Sequence, residues 1–173
     1  MRKVTVMLML FAGVFGQTGL ARQVNWEAVR ALVRATFPEV PQLSTGALAA
    51  WLADSTRTPP LLLDTRSEAE YAVSHLAGAR RLDPDTPDLA ALDTLDRDTP
   101  IVTYCSVGYR SSAMARRLRE MGFTHVMNLE GSIFQWANEG RPVYRDGVPV
   151  RQVHPYDWLW GMLLREDLRA PWP

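Results

Sequence analysis

Cysteine occurs once in this chain, at Cys105, and lysine once, at Lys3. A single thiol excludes an intramolecular disulfide. His75, His125 and His154 lie far apart, with no second Cys or His at ligand spacing, so no metal site is expected. With no lysine after Lys3, Schiff-base chemistry on a domain lysine is excluded, pyridoxal phosphate attachment included, and no cofactor is expected. Charge of one sign is also missing: 19 basic and 19 acidic residues give a net charge of zero. Scattered and balanced charges provide no electrostatic footprint for nucleic acid.

What is present begins with Arg2 and Lys3, followed by an almost unbroken apolar run over 4–15 and the small-residue segment Gly19-Leu20-Ala21. This pattern predicts a secretory signal over 1–21 and export, to the periplasm in a bacterium. The competing reading is an uncleaved anchor. After processing, no integral membrane span is expected. The remainder is long enough for one domain with a single core. In an oxidising compartment cysteines usually pair, so an unpaired Cys105 is either buried and inert or reactive by purpose.

Along the chain, Asn25 is placed to cap a helix over 26–37, with Trp26, Val29, Leu32, Val33 and Phe37 on one face. A second helix is expected over 44–53 and a buried strand over 61–64. Ser67-Glu68-Ala69-Glu70 has capping-box form, starting a short helix that runs to about Val73. A short extended piece follows near 80–82, then a helical turn around 89–95. The strand 101–104, a helix from Ser111 to about Met121, the strand 126–129 and a helix over 131–138 complete the series. Short apolar strands alternating with helices argue for a parallel α/β sheet covered on both faces. The segment 22–43 reads as a helical extension and 145–173 as a Trp-rich tail. The tail either packs across the domain, against the helix at Trp26, or serves as a docking surface.

Cys105 ends an apolar run and opens the segment CSVGYRS just before a helix. A strand-to-helix turn aims backbone N–H groups and the positive end of a helix dipole at its occupant, and a thiol there ionises more readily. Gly108 permits a tight turn, Arg110 brings a guanidinium near the thiol, and Ser111 and Ser112 stand at the helix start. A loop folded so that its N–H groups converge is an anion-binding nest. Taken alone, a cysteine closing a buried strand is as readily a packing residue.

The segments LLLDTRSEAEY, HLAGAR, CSVGYRS and LEGSIFQW occur in the order and near the spacing of the rhodanese-like sulfurtransferase domain, which the chain resembles over 44–144. That resemblance implies a parallel sheet of about five strands flanked by helices on both faces, with the site at the carboxyl ends of the strands. It implies Cys105 as the catalytic nucleophile, carrying a sulfane sulfur as a persulfide from a small donor to a thiol or cyanide acceptor. It makes Ser106, Val107, Gly108, Tyr109, Arg110 and Ser111 the anion-binding loop. Asp64, Arg66 and His75 become supporting residues, with direct substrate contact by Arg66 as a second option. Glu130 and Trp136 read as packing residues. The loop from Cys105 to Arg110 has the length of the sulfurtransferase branch, one residue shorter than that of the phosphatase branch. The alternative from another class is a non-catalytic binding module that docks a periplasmic partner through the tail. Retention of Cys105 argues against it.

Overall fold

The computed structural model describes residues 25–171, so the signal read over 1–21 lies outside the described residues. Helix α1 (Trp26–Thr36) starts at Asn25, whose side chain accepts from the Ala28 N–H at 2.8 Å. A two-residue strand, β1 (Gln42–Leu43), precedes α2 (Thr45–Ala53), capped by Ser44. Strand β2 (Leu61–Asp64) leads into α3 (Glu68–Val73), which opens with a complete capping box between Ser67 and Glu70. After β3 (Arg80–Arg81) come β4 (Ile101–Tyr104), α4 (Tyr109–Glu120), β5 (Val126–Leu129) and α5 (Ser132–Asn138).

The sheet order is β1-β5-β4-β2-β3, with all four pairings parallel. Consecutive strand residues point to opposite faces. All four residues of the central strand β4 are buried, so both faces of the sheet are covered, as the near-continuous apolar runs require. This is the five-stranded α/β architecture expected from the resemblance. Among the described residues, no helix is long and apolar enough to cross a membrane.

Local readings differ from the structure where nonlocal geometry decides. Helix α4 begins at Tyr109 rather than Ser111, because Gly108 adopts φ 113° and turns the chain into the helix two residues earlier. Strand β1 carries no periodic signal, since only two residues pair, and they do so with Asn128 and Leu129 of β5. The hairpin of β6 (Val143–Arg145) and β7 (Val148–Val150) was likewise not expected.

The tail folds as a short helix, α6 (Trp158–Gly161), and a 3₁₀ turn (Glu166–Leu168). It is fixed by burial: Val153 and Leu164 are at most 1% exposed, and Leu163 and Leu168 join the same core. Asn138 at the end of α5 clamps it, donating to the Leu163 carbonyl at 2.7 Å and accepting from the Arg165 N–H at 2.9 Å. Leu164→Ala is expected to lower the unfolding free energy by about 2–5 kcal/mol, as buried Leu-to-Ala changes do. Urea denaturation checks this, and a loss below about 0.5 kcal/mol, typical of surface sites, would show that the tail is not part of the core.

Candidate active site

Cys105 follows β4 directly, at the carboxyl end of the sheet where open α/β folds bind ligands. It is 1% exposed and forms the floor of a cleft of about 690 Å³. Its backbone is held from the start of α5. The Cys105 N–H donates to Ser132 Oγ at 3.1 Å, and its carbonyl accepts from the Ile133 N–H at 3.2 Å. The Ser106 carbonyl accepts from the Phe134 N–H at 3.2 Å. Ser132 holds this post with φ 50°, a left-handed conformation that costs a non-glycine residue about 1–3 kcal/mol.

Gly108 closes the loop over the thiol, its N–H donating to Sγ at 3.1 Å. Its φ of 113° would strain any other residue, and an added Cβ would lie 3.2 Å from the Asn128 amide, a tight contact. Burial is the largest influence on the thiol and opposes ionisation, yet the sum runs the other way. The Arg110 charge, Ser111 and the Gly108 N–H hold the thiol below its ordinary value of 9.0. The Ser111 hydroxyl donates to Asn128 Oδ1 at 2.6 Å, so its backbone N–H, an unpaired donor in the first turn of α4, is the group left for sulfur.

One carboxylate organises the loop. Glu70 Oε1 accepts from Arg110 Nη2 at 2.7 Å and from Ser106 Oγ at 2.9 Å. Its Oε2 accepts from Arg110 Nη1 at 2.9 Å, from Ser67 Oγ at 2.9 Å and from the Ser67 N–H at 3.1 Å. The fork-on-fork pair with Arg110 is the strong, directional kind. Although burial alone would raise it, the Glu70 carboxyl is held down at about 2 by Arg110, Arg66 and the Ser67 N–H.

The remaining expected residues divide between site and frame. Val107 and Tyr109 line the cleft beside Ser106 and Arg110, and Phe37 packs edge-on to Tyr109 at 5.2 Å. Asp64 and Arg66 are fully buried and paired at 2.6 Å, and Arg66 also donates to the Ser74 carbonyl at 2.6 Å. Arg66 is not among the residues that line the cleft; it braces the turn between β2 and α3. His75 stacks on Tyr71 at 4.0 Å, and its backbone bridges to Tyr144, away from the cleft. Glu130 pairs with Arg34 at 2.7 Å, and Trp136 donates to the Pro142 carbonyl at 2.9 Å.

Several site residues escaped the sequence reading. Glu70 was legible only as half of a capping box, and Ser132 only as a helix start. His154, Tyr156 and Trp160 of the tail line the cleft, with no local signal that they would. Among the described residues, no group of three or more His, Cys, Asp or Glu side chains is placed to hold a metal ion.

Two outcomes follow from this geometry. Alkylation of Cys105 by iodoacetamide should rise with pH to a plateau whose midpoint lies below that of a free cysteine, and Arg110→Gln should move that midpoint upward. An unmoved midpoint would remove Arg110 from the thiol's electrostatics. Glu70 has a folded value of about 2 against an ordinary 4.5. Its ionisation therefore stabilises the fold fully above about pH 4.5, and that contribution is lost as pH falls through about 2. The contribution is on the order of 3 kcal/mol. The stability difference between wild type and Glu70→Gln should accordingly be constant above pH 4.5 and shrink by about that amount towards pH 2. A pH-independent difference would show that Glu70 is not the ionised partner.

Comparison with known proteins places the same region in context. Over 118 residues the chain is 30% identical to the tRNA uridine(34) hydroxylase of Escherichia fergusonii, covering 64% of this chain and 33% of that protein. The chain thus spans about a third of the length of that curated relative. Among solved structures, the 30 kDa polysulfide-sulfur transferase homodimer of Wolinella succinogenes superposes with a TM-score of 0.54 at 25% identity, covering 69% of this chain and 88% of that one. A thiosulfate sulfurtransferase from Pseudomonas aeruginosa shares the fold with a TM-score of 0.56 at 23% identity, covering 72% of this chain and 24% of that one. The sequence profile of the rhodanese-like domain matches residues 44–139. A match running from the cap of α2 to the end of α5, over more than half the chain and the whole Cys105 loop, makes this chain a member of the rhodanese-like domain family.

Proposed function

We propose that this protein is a sulfurtransferase in which Cys105 carries a sulfane sulfur as a persulfide between a donor and a thiol or cyanide acceptor. The observation that carries the reading is a buried thiol held below its ordinary ionisation range at the floor of an open cleft. In the first half-reaction the Cys105 thiolate attacks the outer sulfur of the donor. A bond forms to Sγ, and the donor's own bond to that sulfur breaks with the electron pair leaving on the donor remnant. In the second, an acceptor thiolate or cyanide attacks the outer sulfur, and the Cys105 thiolate is the leaving group. Groups that stabilise the thiolate, namely the Gly108 and Ser111 N–H groups and Arg110, therefore act at the end of the second step and the start of the first.

Membership of the family and the polysulfide-sulfur transferase named among its structural neighbours support this reading. The tRNA substrate in the name of the curated relative is not carried over, because a net charge of zero gives this chain no electrostatic footprint for a polyanion. Export by the signal read over 1–21 is part of the proposal, and places the carrier outside the cytoplasm. A binding module on the same fold is disfavoured by the thiol's activation, which a docking surface does not need.

Intact-mass spectrometry after incubation with a sulfane donor should show one added sulfur atom, removed by cyanide and absent from Cys105→Ser. Transfer by a folded Cys105→Ser protein, or no adduct from thiosulfate, polysulfide or thiosulfonates, would sink the enzyme reading.

A further inference from the structure

Resting on the persulfide reading, we propose that the C-terminal tail builds the donor subsite of the cleft, and that this subsite selects organic monoanions, such as ring-bearing thiosulfonates, over inorganic thiosulfate. The tail residues concerned, His154, Tyr156 and Trp160, line the cleft from outside the 44–139 match to the domain.

Charge argues against a dianion. Arg110 is neutralised by Glu70 through two hydrogen bonds. Burial holds the His154 imidazole below its ordinary value, which favours its neutral form. Arg117 also lines the cleft and has no ion-pair partner among the described residues, but Asp85 lines the same cleft with the opposite charge. The lining therefore sums to a charge near zero. Thiosulfate would lose the hydration of two charges and meet no net countercharge.

Shape and surface argue for an apolar body. At about 690 Å³ the cleft falls in the range, about 300–1,000 Å³, of sites that bury drug-sized ligands, far beyond what thiosulfate fills. Its tail side is aromatic, and its base adds Val107, Ala113 and Met114. The wall is also built in advance. Tyr156 takes φ 69°, and its ring lies 4.6 Å from the Arg110 guanidinium. His154 Nδ1 accepts the Tyr156 N–H at 3.0 Å, and Asp157 accepts the Trp160 N–H at 2.8 Å. A left-handed tyrosine held from both sides is a placed surface rather than a loose flap.

The step balances without a further reactant. The Cys105 thiolate attacks the outer sulfur of a thiosulfonate anion, the new bond to Sγ forms, and the bond to the sulfonyl sulfur breaks. Its electron pair leaves on an organic sulfinate, so two anions enter and two emerge.

The test compares loading of the full chain by benzenethiosulfonate, methanethiosulfonate and thiosulfate, each rate divided by that donor's rate with a free thiolate in solution. Normalised kcat/KM should fall in that order. Tyr156→Asn keeps a residue that tolerates left-handed backbone, and Trp160→Leu keeps an apolar side chain. Each should lower the benzene-to-methane ratio about fivefold, the worth of one lost aromatic contact. Thermal melting verifies that both variants fold. Thiosulfate as the best donor, or an unchanged ratio in both folded variants, overturns the subsite while the Cys105 persulfide stands. Failure of every donor to load Cys105 overturns the sulfur-transfer reading itself, and the subsite with it.

Discussion

The Glu70 carboxylate is the point on which the cysteine loop depends. It accepts from both ends of the loop, Ser106 and Arg110, and from the Ser67 cap of the helix that carries it. That helix follows β2, whereas the loop follows β4, so one side chain couples two neighbouring strands at their carboxyl ends. A buried ion pair is a poor source of net stability, but removing one partner is costly, so this one fixes geometry more than it adds free energy. Arg110 is thereby held where its charge reaches the thiol, and the same contact cancels most of that charge at longer range. The loop activates sulfur locally without becoming a strong anion trap.

A second buried pair shows the contrast. Asp64 and Arg66 are wholly shielded from solvent and brace the turn after β2 through the Ser74 carbonyl. Arg66 lies 5.8 Å from the Tyr104 ring, and the Tyr104 hydroxyl accepts the Leu76 N–H at 3.1 Å. This network sits beneath the site and shapes the platform on which Glu70 stands. Three of the four partners, Asp64, Arg66 and Glu70, come from one short stretch, and all three are buried.

Much of this was legible in the chain. The strands LLLD and IVTY, the Ser67–Glu70 capping box and the loop starting at Cys105 stand where local pattern puts them, because each is set by burial period or by bonds within a few residues. The double duty of Glu70 was hidden: capping predicts a bond to Ser67 and is silent about a guanidinium 40 residues away. Strand β1 was hidden for the same reason, since two residues become a strand only through their partners in β5. That the tail packs on the domain was one of two readings open in the chain, but which face it covers depends on Asn138 and on aliphatic core positions that no local period encodes.

Within that tail, the most buried anchors and the residues that face the cleft are largely different. Val153, Leu163, Leu164 and Leu168 are buried in the core, while His154, Tyr156 and Trp160, between them in the chain, line the cleft, with Tyr156 and Trp160 only partly buried against that core. Folding and recognition are thus written largely in separate letters of one short segment. Such a division lets a lineage, or an engineer, rewrite the wall of the cleft one side chain at a time while the scaffold and the sulfur chemistry stay as they are.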